Sequence, residues 1–232
     1  MSDHIPLRTQ FLYDLTHTRA RPWLEHTEWP WEILPDIPVI IREIGAALDP
    51  AIYDHPADGV WIAKSATVSP AAYIGALTII GERTEVRHGA FVRGSALVGD
   101  DCVVGNSTEL KNCILFDGVQ VPHYNYVGDS VLGYKSHMGA GAITSNVKSD
   151  RGLVTVKPAV GFEGDFDPIP TGRKKLGAML GDFVEVGCNS VLNPGTVIGP
   201  HSNIYPLSSV RGAVPARAIF KSGKGSQIAD KL

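Results

Sequence analysis

The sequence predicts an all-β fold, a parallel β-helix wound from six-residue repeats, on two observations. An aliphatic or aromatic residue recurs every six positions, and a small residue stands four places after most of these anchors. The first run reads Ile62, Val68, Ile74, Ile80, Val86, Val92, Val98, Val104, Leu110 and Phe116. A second reads Leu180, Val186, Leu192, Ile198, Ile204 and Val210. The small positions of the first run are Ala66, Ala72, Thr78, Thr84, Ala90, Ala96, Cys102 and Thr108. A period of six fits neither a 3.6-residue helix nor two-residue strand alternation. It fits a short strand plus a turn. Three such units close a triangular coil of eighteen residues, with the anchor inside and the small residue at the bend. Coils then stack at the ~4.8 Å spacing of a sheet, and the solenoid needs protection at its ends.

The remaining segments follow from where the repeat stops. Residues 1–57 lie outside it and carry Trp23, Trp29 and Trp31 among several prolines. Ile40, Ile44 and Leu48 fall at i, i+4 and i+8, which predicts a short helix over 38–48. This stretch reads as an N-terminal cap or interface arm, because it is short and lacks a glycine-rich phosphate loop. The β-helix is expected over 58–215. After Phe116 the phase is lost through Pro122 and His123 and resumes at Leu132 and Met138. An insertion over 147–174 contains a strand-like stretch, Leu153–Lys157, and reads as a protruding hairpin or loop. A polar tail is expected over 216–232.

Composition narrows the function. The 232 residues carry 21 Lys and Arg against 24 Asp and Glu, a formal net charge of -3. That gives no basic footprint for nucleic acid. No apolar run reaches the ~20 residues of a membrane helix, and no export signal is evident, so no membrane partner is expected. Cys102, Cys113 and Cys188 are odd in number and widely spaced, which suits free thiols in a reducing, cytoplasmic compartment.

Three places in the repeat carry chemistry. The first is the break, with His123, Tyr124, Asn125, Tyr126, Gly128 and Asp129. An imidazole there is either a general base near neutral pH or a structural histidine on a bulged loop. The second is the pair Arg93 and Lys111, one eighteen-residue coil apart. In strict register they stack on one outer edge, where like charges repel. Either an anion such as a phosphate sits between them, or Glu109 neutralises them. The third is Gly139-Ala140-Gly141-Ala142 beside Asn146, where small residues either admit a ligand to the backbone or make tight turns. His88, His123 and His137 could be metal ligands of the γ-carbonic-anhydrase type. Their separations of 35 and 14 residues lack that family's short second spacing, so no metal is expected.

These residues resemble a known family. The repeat is similar to that of the hexapeptide-repeat acyltransferases. The segments Gly105-Asn106 to Glu109-Leu110-Lys111, His123 to Asp129 and Gly139 to Asn146 resemble the C-terminal acetyltransferase domain of bifunctional N-acetylglucosamine-1-phosphate uridyltransferases. The resemblance extends over roughly 60–215 and is specific from 91 to 146. It implies a left-handed β-helix, a homotrimer, acetyl-CoA as cosubstrate and a glucosamine-1-phosphate-like acceptor, in nucleotide-sugar metabolism. By the same resemblance His123 is the catalytic base. Arg93, Lys111 and Lys175 hold the sugar phosphate, Tyr126 contacts the substrate, and Asn146 lies at substrate and donor alike. Ala140 lines the acetyl-CoA site. The chain departs from the family at His137, an acceptor-contacting position where Asn is usual, and at Cys188, which replaces a serine near acetyl-CoA. The insertion is longer, and no nucleotidyltransferase domain precedes the repeat. A second expectation is therefore a non-catalytic, sugar-phosphate-binding or oligomerising partner of a separate nucleotidyltransferase.

Overall fold

The computed structural model describes residues 7–157, 167–222 and 227–230. Its parallel strands stack as a β-solenoid of about eight turns, a left-handed parallel β-helix as expected. Each coil contributes to three faces. On the first, Val60–Ala63 pairs with Thr78–Ile80, which pairs with the far half of Phe91–Val98. On the second, Glu85–Val86, Val103–Asn106, Gln120–His123 and His137–Met138 follow one another. On the third, Tyr73–Ile74 pairs with the near half of Phe91–Val98, then Glu109–Leu115 and Tyr126–Leu132. The anchors Val92, Val98, Val104 and Leu110 are completely buried, as are the small residues Thr84, Ala96 and Thr108. The hydroxyls of Thr84 and Thr108 donate to the carbonyls of Gly99 and Val121. A small polar group can therefore sit inside without an unmet hydrogen bond.

The corners are built from left-handed backbone. Arg83, Asp101, Gly118 and Lys135 occupy one corner of successive coils, Ser107, Tyr124 and Gly141 the second, and Ser95, Asn112 and Asp129 the third, all with φ between 50° and 72°. A non-glycine residue there costs about 1 kcal/mol. Many corner amides recover it by bonding to the coil beside them, as Asp101 N–H does to the Glu82 carbonyl at 2.8 Å.

Two expectations about phase are corrected. The repeat shortens at Arg93 and does not break at His123. Val92 pairs with Leu110, but Gly94 pairs with Lys111, and Arg93 is the bulged residue between them. From there to the insertion each coil uses one residue fewer, so Val104 pairs with Val121 and Leu110 with Val127, and the eighteen-residue step returns beyond it, where Glu185 pairs with Asn203. The first-face anchor becomes Leu115, paired with Val98 and Leu132. Phe116 instead packs against Tyr13, with ring centroids 5.1 Å apart. His123 continues a regular ladder, in register with Asn106.

The N-terminal residues run along the side of the prism. The outward residues of the first face, Ile79, Leu97, Ile114, Val131, Met179 and Val197, are apolar, and their exposure is at most 2%. Helix Ile37–Ala47 covers the early coils with Ile37, Ile40, Ile41 and Ile44, so the predicted helix is present. Burial of each such side chain contributes about 2 kcal/mol. The arm is also pinned by polar contacts. Arg19 donates to Asp100 at 2.8 Å, and the Asp14 N–H donates to Asp182 at 2.6 Å. The insertion covers later coils of the same face. Thr155–Val156 and Ile169–Pro170 form the expected hairpin. It docks instead of protruding, because Val154 and Val156 are buried and Lys157 O accepts from the Ala213 N–H at 2.7 Å. Leu132 pairs directly with Leu180, so the solenoid bypasses the insertion. The expected boundary at 215 falls short. Ala218–Lys221 still pairs with Asn203–Ile204, and Gln227–Asp230 returns antiparallel to it.

Candidate active site

The third face and its two flanking corners carry the predicted residues other than His137. At one edge is a hydrogen-bonded cluster centred on Asp129, whose side chain is 4% exposed. Its carboxylate accepts from Lys111 Nζ at 3.1 and 3.3 Å, from Asn112 Nδ2 at 2.9 Å, and from Asn146 Nδ2. Asn146 Nδ2 also donates to the Tyr126 hydroxyl at 3.2 Å. Burial and the nearby Asp129 and Glu109 carboxylates hold the Tyr126 hydroxyl above its ordinary pKa. The tyrosine is therefore a neutral hydrogen-bonding group at physiological pH. Lys175 stands just outside this cluster. Leu176 N–H donates to Asn146 O at 3.0 Å, and Gly177 N–H donates to Asp129 O at 2.9 Å.

Arg93 and Lys111 do not stack in register, which corrects the coil arithmetic. The bulge at Arg93 sets Lys111 beside Gly94. Each cation has its own carboxylate, Arg93 with Glu109 at 2.8 Å and Lys111 with Asp129. The expected repulsion is thus already removed within the chain. Among the described residues the Arg93 guanidinium donates only to Glu109 and is about half exposed, and Lys111 is 29% exposed. Both can still donate to an incoming anion.

The opposite corner of the same face carries His123. It is exposed at the end of its strand, and its N–H donates to Asn125 Oδ1 at 3.0 Å. Asn125 is 2% exposed and donates to the carbonyls of Gly139 and Ala142. The loop that presents His123 is therefore tied to the coil that carries Ala140. His123 O accepts from the Gly141 N–H at 2.9 Å. Among the described residues no acceptor is found for the Ala140 N–H. Cys188 is exposed and lies against Gly139, where an added Cβ would stand 2.7 Å from the Cys188 nitrogen. His137 faces away from the Asp129 cluster, on the second face. Its Nδ1 lies 2.8 Å from Glu185 Oε2. It shares a groove of about 340 Å³ with Gly139, Cys188 and Tyr205. Among the described residues no three His, Cys, Asp or Glu side chains converge on a metal position, and no helix is long and apolar enough to cross a membrane.

The structure thus gathers Arg93, Lys111, Tyr126, Asn146 and Lys175 at one edge and His123, Ala140 and Cys188 at the next. His137 joins the second group only through the groove. The sequence reading missed the central role of Asp129. Its signal was the eighteen-residue step from Lys111, the same step that drew attention to Arg93.

A hexapeptide-repeat solenoid with one polar, ligand-sized outer edge is the class that fold and site define. The chain belongs to the family described as GMPPB C-terminal domain, which matches residues 85–211. Among relatives, a bifunctional sugar-1-phosphate nucleotidylyltransferase/acetyltransferase of Sulfurisphaera tokodaii is 37% identical over 117 residues. That covers 50% of this chain and 28% of the relative. A bifunctional protein GlmU of Methanococcus maripaludis is 39% identical over 100 residues, 43% of this chain and 23% of the relative. The matched stretch is thus about a quarter of these relatives' length. Among solved structures, the acetyltransferase domain of PglB from Neisseria gonorrhoeae, in complex with acetyl coenzyme A, overlaps 72% of this chain and 56% of its own. At 18% identity and a TM-score of 0.33, that likeness is too low to transfer a property.

Proposed function

We propose that the chain transfers an acetyl group from acetyl-CoA to the amine of an amino-sugar phosphate. The observation that carries this reading is the pairing of two edges on one face, cations with Tyr126 and Asn146 on one side and, on the other, an exposed histidine on a loop hydrogen-bonded to the turn that carries Ala140. The sugar phosphate is held by Arg93, Lys111 and Lys175, and Tyr126 and Asn146 orient the ring. The amine attacks the thioester carbon, forming the C–N bond and a tetrahedral intermediate, whose collapse then breaks the C–S bond. His123 takes the ammonium proton that this attack releases. The Ala140 N–H stabilises the oxyanion of the tetrahedral intermediate. Coenzyme A leaves as a thiolate and collects a proton from the imidazolium or from water. The groove beside His137, Gly139 and Cys188 receives the donor's arm. The enzyme is read as a cytoplasmic homotrimer acting in nucleotide-sugar metabolism. Thiol release from acetyl-CoA with glucosamine-1-phosphate and a panel of other amino-sugar phosphates tests the reading. Turnover with one acceptor is the expected result, and inertness toward the whole panel sinks it.

A second reading is a non-catalytic module that binds a sugar phosphate or assembles a separate nucleotidyltransferase. It is supported by the relatives' own description, which joins a nucleotidylyltransferase to the acetyltransferase. Sugar-phosphate binding without turnover in the parent protein would select it.

A further inference from the structure

The insertion supplies a feature that the repeat alone does not contain. Where its hairpin returns to the solenoid it encloses a cavity of about 240 Å³, lined by Lys148, Thr155, Lys157, Pro194, Arg211 and Gly212. Three of these side chains are cationic. Lys148 is paired with Asp150 at 3.1 Å. Arg211 donates to the neutral Asn193 Oδ1 at 3.3 Å. Lys157 has no carboxylate partner among the described residues. The cavity therefore holds more positive charge than the described residues neutralise. Its walls are fixed. Val154 packs over Gly195, whose φ is +80° and where an added Cβ would come within 2.6 Å of the valine methyl. The Lys157 carbonyl is held by the Ala213 N–H.

The position of the cavity matters as much as its charge. Arg211 lies on the same outer column as Lys111. From Lys111 the column passes Gly128, Ser145 and Asn193 before reaching it, following the register of the third face. Four ladder steps of ~4.8 Å separate the two cations by roughly 19 Å. One extended ligand can span that distance.

We propose that this cavity is a binding site for the phosphate of a nucleotide, held by Lys157 and Arg211 with Lys148 behind them. Arg and Lys together suit a phosphate, the first by its fork of donors and the second as a point charge. The nucleotide is either that of the acyl donor, through the 3′-phosphate of coenzyme A, or that of a nucleotide-linked acceptor sugar. The site extends the acetyl-transfer reading, on which its choice of nucleotides rests, but its charge and geometry do not depend on turnover.

Direct titration calorimetry with ADP, inorganic pyrophosphate, coenzyme A and dephospho-coenzyme A tests it. ADP and pyrophosphate bind the parent protein, and affinity falls as salt rises. Lys157→Glu with Arg211→Ala weakens ADP at least roughly 10-fold per lost charge-assisted contact. Lys157→Gln, the milder variant, weakens it less and guards against a folding defect, which an unchanged thermal midpoint excludes. A loss of affinity confined to dephospho-coenzyme A places the donor's 3′-phosphate in the cavity. Equal binding of the two coenzymes, with ADP displaced by a nucleotide-linked amino sugar, places the acceptor there. No binding of any probe, or binding that the variants leave unchanged, overturns the proposal. A parent protein inert in thiol release that still binds ADP through Lys157 keeps the cavity and loses the enzyme.

Discussion

Asp129→Ala strips a buried carboxylate from the centre of the polar edge. Four hydrogen bonds end on it, from Lys111, Asn112 and Asn146. Removing one partner of a buried ion pair costs about 3–5 kcal/mol, because the other charge is left uncompensated. Lys111 is 29% exposed, so water recovers part of this and the lower end applies. The cost is thus about 3 kcal/mol, or a fall of roughly 6–12 °C in the thermal midpoint for a chain of this size. The comparison variant is Glu109→Ala, which breaks the exposed Arg93 pair and leaves the midpoint within a degree or two, as exposed pairs contribute little. Circular dichroism melts of the two variants beside the parent provide the assay. Equal midpoints for Asp129→Ala and Glu109→Ala would refute the central place of Asp129 in this edge.

Further outcomes follow from the same contacts. Burial pushes Asp182 up to about 6 from 3.8. Its folded pKa exceeds its unfolded one, so its contribution is fully present below about pH 4 and is lost as pH rises through 6. Between pH 7 and 5 only the stretch below 6 counts, about 1.4 kcal/mol, so the melting midpoint rises over that interval in the parent. Asp182→Asn flattens that rise, and an unchanged rise would show the wrong group has been named. Gly105→Ala drives a Cβ into the Pro122 carbonyl oxygen and destabilises by more than about 3 kcal/mol or prevents soluble expression. A stable, soluble variant contradicts the close approach of Gly105 to the Pro122 backbone. Ile41→Ala, on the buried face of the arm helix, costs about 2–5 kcal/mol, and protease cleavage within residues 7–48 accelerates with it. Burial raises the Cys102 thiol well above its usual range and pushes Cys113 up to about 12. A thiol reagent therefore labels Cys188 alone in the native protein, and rapid labelling of all three would deny the buried core.

Much of the solenoid is readable from the anchors because each coil obeys the same local rule. Val92, Val104 and Leu110 must be apolar inside, and Thr84 and Ala96 must be small at a bend. The one-residue shortening at Arg93 was not readable, because Phe116 is apolar and keeps apparent phase while Leu115 takes the inward place. That slip undid the direct stacking of Arg93 on Lys111 and hid the role of Asp129. The burial of the first face was equally silent. Ile79, Leu97 and Ile114 look like surface positions of a solenoid until the arm is seen to cover them. The docking of the insertion depends on contacts between Val154 and Gly195 that no short-range pattern encodes. What the sequence did carry was the set of polar residues on the third face, since strand alternation puts them outward in any register close to the true one.

The measurement that bears most directly on the proposed chemistry is acetyl transfer by the parent and His123→Ala proteins, with sugar-phosphate binding followed in parallel. Loss of the base is predicted to lower kcat by about 100-fold or more while leaving acceptor affinity within a few-fold, because Arg93, Lys111 and Tyr126 remain in place. Unchanged turnover in His123→Ala, with the acceptor bound as before, would contradict the assignment of proton removal to His123.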